Sequence, residues 1–119
     1  MNIIVADDDK VLSQMICGIL RENGHKPTAA FDSMQVMMFA LKQPPDLVLL
    51  DINMPGGTGV EVLRKLKSNS KTASVPVIII SGSTDQKLSD EVLKIGASLF
   101  LSKPIEPSVL IDAVNSACA

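Results

Sequence analysis

Leu47-Val48-Leu49-Leu50-Asp51 is the stretch that decides how this chain folds. Four consecutive apolar residues cover both faces of a strand, the pattern of a central strand in a parallel sheet with helices on either side. The run stops at an acid. Three other runs behave alike: Ile3-Ile4-Val5-Ala6 enters Asp7-Asp8-Asp9, Val77-Ile78-Ile79-Ile80 stops at Ser81, and Leu99-Phe100-Leu101 passes through Ser102 to Lys103-Pro104. As parallel strands of one sheet, they would bring all four endings to one edge, where ligands of such sheets bind. Carboxylates with one hydroxyl and one ammonium suit a divalent cation and a phosphoryl group.

Helical patterns fill the intervals. Val11, Leu12, Met15, Ile16, Ile19 and Leu20 recur at helical spacing up to the Asn23-Gly24 stop. Lys26 to Ala30 reads as an edge strand, since Pro27 cannot donate to a ladder. Asp32 or Ser33 can cap a helix over Met34 to Lys42, which ends ahead of Pro44-Pro45. The third strand is expected from Asp46 to Asp51. After a loop through Pro55-Gly56-Gly57-Thr58-Gly59, Val60, Leu63 and Leu66 form the inward side of a third helix. A fourth is expected from Asp85 to Ile95, stopped by Gly96. The last opens at Pro107, with Val109, Leu110, Ala113, Val114 and Ala117 facing in. The alternation reads as (βα)5: an α/β fold, doubly wound, with a five-stranded parallel sheet in one domain spanning residues 1–119.

A chain of 119 residues lies near the commonest domain size and can bury a core without disulfides or a structural metal. The formal charge of −2 carries no general signal for nucleic acid. Arg64, Lys65 and Lys67 read as a solvated helix face. No apolar stretch approaches the ~20 residues needed to span a bilayer, and the N-terminus shows no basic leader. A cytoplasmic chain without membrane insertion is therefore expected. Cys17 and Cys118 lack metal-ligand spacing and read as reduced structural residues.

Adjacent carboxylates repel one another and demand a cation or raised pKa values. Oxygen ligands favour a hard ion such as Mg²⁺. Asp7 and Asp8 are the candidate metal ligands, with Asp9 as the cap of the first helix. Asp51 is the candidate nucleophile, because a carboxylate can accept a phosphoryl group as an acyl phosphate. Asn53 fits equally a backbone-carbonyl ligand and a simple turn residue. Ser81 can donate its hydroxyl hydrogen to a phosphoryl oxygen, with room left beside it at Gly82. Lys103 supplies a point charge, and its bond to Pro104 is a candidate cis peptide. His25, the one histidine, reads as a surface loop residue. Met34, Met37 and Met38 read as core filler in preference to a target-binding groove.

In order and spacing, Ile3 to Asp8, Asp51-Ile52-Asn53-Met54-Pro55 with Gly59 beyond, Ser81-Gly82, and Gly96-Ala97 through Lys103-Pro104 form a matching set. The chain resembles a response-regulator receiver domain of two-component signalling, most like the stand-alone chemotaxis type, over essentially its whole length. The resemblance implies a flavodoxin-like sheet of order 2-1-3-4-5, with Asp7 and Asp8 beside Asp51 at the switch point. It implies that Asp7, Asp8, Asp51 and the backbone carbonyl of Asn53 bind Mg²⁺. Asp51 would take a phosphoryl group from the phosphohistidine of a sensor histidine kinase or histidine phosphotransfer protein. Ser81 and Lys103 would hold the phosphoryl oxygens. Phe100 would be the switch aromatic, passing the change to a surface of the fourth helix, fifth strand and fifth helix for a protein target.

A phosphoacceptor of this kind is not a turnover enzyme; it assists only its own phosphorylation and dephosphorylation. A monomer or a phosphorylation-linked dimer is implied. Ser81 stands where Thr is the bulkier option, Gly82 where Ala is more usual, and Phe100 lacks a Tyr hydroxyl. By the same resemblance, Ser83 and Asn53 would hold positions that tune acyl-phosphate lifetime in that family. The alternative is a Mg²⁺-dependent aspartyl-phosphate phosphatase, which wants a second Asp two residues past the nucleophile, where this chain has Asn53. An electron carrier of the flavodoxin type is disfavoured by the acids after the first strand and by the absence of Trp and Tyr. No DNA-binding element follows the last helix, so direct contact with nucleic acid is not expected.

Overall fold

The apolar runs form the strands and the amphipathic intervals form the helices. A computed structural model describes residues 1–83 and 85–118. Five parallel strands, β1 (Asn2–Ala6), β2 (Lys26–Ala30), β3 (Leu47–Asp51), β4 (Val77–Ser81) and β5 (Leu99–Ser102), pair in the order β2-β1-β3-β4-β5. Pro27 therefore does lie on an edge strand. Between the strands run α1 (Lys10–Glu22), α2 (Ser33–Lys42), α3 (Gly59–Ser68) and α4 (Gln86–Ile95), and α5 (Pro107–Ala117) follows β5. No helix among the described residues is long and apolar enough to cross a membrane.

Every residue of β3 and β4 is buried, as their unbroken apolar runs require. Alternate residues feed two cores. Ile4, Val48, Leu50 and Ile79 pack with Val36 of α2, Leu63 and Leu66 of α3 and Val92 of α4. Ile3, Leu49 and Ile78 pack on the other face with Ile16 and Leu20 of α1 and Leu110 and Val114 of α5. The helices start where side chains satisfy their free amides. Asp9 accepts from the amides of Val11 and Leu12, Asp32 from Gln35, Thr58 from Glu61 and Asp85 from Lys87. Gly96 ends α4 at φ +129°, a conformation that disfavours a side chain.

Several expectations are corrected by packing. Val109 is 46 % exposed, so α5 buries only Leu110, Ala113 and Val114. On α1, Val11 and Met15 are exposed, and the buried side is Ser13, Ile16, Cys17 and Leu20. Met34 and Met38 are exposed on α2, which overturns their reading as core. Lys67 is not simply solvated. Its Nζ donates to Val75 O at 2.7 Å and Ala73 O at 3.3 Å, and burial pushes the ammonium below its ordinary value. The loop after β3 also holds a two-residue antiparallel ladder, Asn53–Met54 with Gly57–Thr58, too short to show in the sequence.

Gly59 fixes how closely α3 approaches the end of β3. Its amide donates to Ile52 O at 2.8 Å, and a Cβ there would sit 2.7 Å from both Asp51 O and Ile52 Cα. Backbone cannot give way as a flexible side chain can. Gly59→Ala is expected to lower unfolding free energy by about 1–3 kcal/mol, read from the urea midpoint at constant slope.

Candidate functional site

The carboxyl ends of β1, β3 and β4 and the segment after β5 make one pocket. Asp7 follows β1, where its amide donates to Ala30 O at 3.1 Å and its Oδ1 accepts from the Asp9 amide at 2.9 Å. Asp51 closes β3, and its Oδ1 accepts from the Asn53 amide at 3.3 Å. Both side chains are buried, whereas Asp8 is exposed. Carboxylate oxygens of Asp7, Asp8 and Asp51 all lie within 4.8 Å of one another.

One ammonium serves the buried pair. Lys103 Nζ is 3.2 Å from Asp7 Oδ2 and 3.5 Å from Asp51 Oδ2. Burial acts to lower the Lys103 pKa, but the charges of Asp51 and Asp7 outweigh it and hold it above the ordinary value. Asp51 is raised, first by burial and next by the charge of Asp7, with the Asn53 amide and Lys103 opposing. Three carboxylates against one ammonium leave an excess of negative charge. Asp7 Oδ2, buried, has no aligned hydrogen-bond donor among the described residues. An excess of hard oxygen donors over the single ammonium fits a divalent cation such as Mg²⁺, which keeps waters alongside one or two carboxylates.

Ser81, fully buried, ends β4 next to Asp51, since β3 and β4 pair Asp51 with Ile80. Its Oγ accepts from the Ser83 amide at 3.0 Å, which leaves its own hydrogen available to an outside acceptor. The Lys103 amide donates to Ser81 O at 2.8 Å, joining the two residues through the backbone. The Lys103-Pro104 peptide is cis. Phe100 does not enter the pocket. It is half-buried beside Ile79 in register and packs on the core shared by α2, α3 and α4. His25 is a half-buried loop residue far from the site; its amide donates to Leu20 O at the opposite end of the strands. Reading the sequence also missed the contact of Phe31, which follows β2, with Lys10, whose Nζ lies 5.6 Å from the ring centroid. The position of Phe31 after a strand was the available signal.

This geometry defines a doubly wound sheet with an acidic pocket at its switch point. A family model for the response regulator receiver domain matches residues 3–115, and the chain belongs to that family. It is 30% identical over 114 residues to the phosphate regulon transcriptional regulatory protein PhoB of Escherichia coli (strain K12), covering 96% of this chain and 50% of PhoB. The chain thus spans about half the length of the curated relatives it matches. Among solved structures, the chemotaxis response regulator CheY4 of Vibrio cholerae is similar at TM-score 0.92 and 25% identity, over 98% of this chain and 97% of that one. The receiver domain of Francisella response regulator 1452 is similar at TM-score 0.90 and 32% identity, over 98% of this chain and 95% of that one.

The raised pKa of Asp51 gives stability a particular pH dependence. Between its ordinary value of 3.8 and the raised folded value, the folded state binds more proton than the unfolded state. This group's contribution therefore falls as pH rises through that window and is unfavourable above it. Asp51→Asn is expected to stabilise the metal-free protein at neutral pH by ~0.5–2 kcal/mol. That advantage should shrink as pH drops toward 3.8, measured by urea titrations of both proteins in EDTA.

Proposed function

We propose that this chain is the phosphoacceptor of a two-component phosphorelay, with Asp51 taking the phosphoryl group from the phosphohistidine of a sensor histidine kinase or histidine phosphotransfer protein. The observation that carries this reading is the Lys103 ammonium lying within 3.5 Å of both buried carboxylates, beside the exposed Asp8. An Asp51 oxygen attacks phosphorus in line; the new O–P bond forms as the P–N bond breaks, and the departing imidazole keeps the bond electrons. Lys103 and the Ser81 hydroxyl offset charge on the equatorial oxygens, so the protein contributes positioning and electrostatics. Mg²⁺ held by Asp7, Asp8, Asp51 and the backbone carbonyl of Asn53 would supply further charge neutralisation. The chain stores the group and does not turn over a substrate.

The acyl phosphate then biases a two-state equilibrium by contacting one state better than the other. Ser81, through the Lys103 amide, links the pocket to the end of β5, and Phe100 on β5 packs on the core that includes Val92 of α4. The switched surface is α4-β5-α5, recognised by a protein target in a monomeric or phosphorylation-linked dimeric protein. The named roles of the longer relatives, a transcriptional regulatory protein and a DNA-binding response regulator, fit a transcriptional output for such a signal.

Incubation with acetyl phosphate should label the wild-type protein once, seen as a single retarded band on a phosphate-affinity gel. Asp51→Asn should abolish the label, and full labelling of that variant would place the acceptor elsewhere. Lys103→Ala is expected to slow labelling by about a hundred-fold, with EDTA acting in the same direction.

A further inference from the structure

Met34, Met37, Met38 and Leu41 sit at i, i+3, i+4 and i+7 of α2 and lie along one side of the helix. Met34 is 74% and Met38 54% exposed, while Met37 is only partly buried against the core. With Val62 and Lys65 of α3 they line an open cleft of about 470 Å³. The cleft reaches Gly56, in the loop that carries Asn53, and there the Ser33 amide donates to Pro55 O at 3.1 Å. None of this surface is used by the phosphoacceptor pocket.

Two features indicate what covers the stripe. The first is charge: the chain has 13 acidic residues and a formal charge of −2, yet the cleft lining holds one cation, Lys65, and no acid. Lys65 makes no ion pair among the described residues. A second copy would bring the same acid-free lining and no carboxylate for Lys65, whereas an acidic side chain of a partner would pair with it. The second feature is shape and chemistry. The stripe from Met34 to Leu41 rises ~10.5 Å, the footprint of about two helical turns, and unbranched thioethers remodel to whatever apolar side chains arrive. We propose that the α2–α3 cleft docks an amphipathic helix of a partner protein, with apolar residues on the methionine stripe and a Glu or Asp at Lys65.

The test uses the chain labelled at its methionine methyls and two synthetic helical peptides. Both peptides carry Leu at i, i+3, i+4 and i+7; one has Glu along the rim and the other Lys. The Glu-rimmed peptide should shift the Met34, Met37 and Met38 methyl resonances and leave Met1, Met15 and Met54 in place. Met34→Lys with Met38→Lys should weaken binding by about ten-fold or more, with Met54 unshifted as a check on folding. Lys65→Glu should transfer the preference to the Lys-rimmed peptide by about two- to five-fold. Shifts centred on Met15, equal binding of both rims, or binding indifferent to the double substitution would overturn the proposal. So would concentration-dependent shifts of the chain alone at the α2 methyls, which assign the face to a second copy. Shifts produced by anionic vesicles and by neither peptide would overturn it in favour of a membrane surface.

Discussion

A sheet covered on both faces can keep charge only where its strands end. β3 and β4 are buried along their whole length, so an ionised side chain is tolerable in them only at the carboxyl end, where a counter-charge can reach it. The charges fall at the carboxyl edge, where Asp7, Asp51 and Ser81 terminate neighbouring strands and Lys103 arrives just past β5. The pocket is thus a consequence of the core. Two helix layers, seated on Leu49 on one side and Leu50 on the other, hold the strand ends in fixed register.

Within the pocket the balance of charge is deliberately incomplete. Lys103 meets both buried carboxylates, yet the charge of Asp7 together with burial still raises Asp51. Two buried carboxylates share one ammonium, so the arrangement costs stability in the resting state. It is kept poised by neighbours that cannot retreat: the Asn53 and Asp9 amides hold one oxygen of each carboxylate, and Gly59 brings α3 against the Asp51 backbone. Added positive charge and a phosphoryl group would meet groups already in place, which is the condition for electrostatic preorganisation.

The same economy explains what lies outside the pocket. Lys67 spends its ammonium on the carbonyls of Val75 and Ala73, fastening the segment that leads into β4, so a residue that looked like surface charge is part of the frame. Met34 and Met38 run the other way. They looked like core and stand in solvent, because Val36 and Ala40 already fill the inward side of α2.

The alternation of unbroken apolar runs with helical spacing was enough, from sequence, to define five strands, five helices and a site at the strand ends, because a doubly buried strand and a capped helix are local patterns. Asp9 and Asp32 were legible as caps for the same reason: the amides they satisfy are two or three residues away. Tertiary structure decided which of several periodic residues faced inward, since Val11, Met15 and Val109 satisfy the helical period but lose to Ile16, Leu20 and Leu110 in docking on the sheet. It also decided which partners the charges chose. The 3.2 Å and 3.5 Å contacts of Lys103 join residues from three strand ends, and such distances depend on how the sheet twists and packs, which no local pattern encodes.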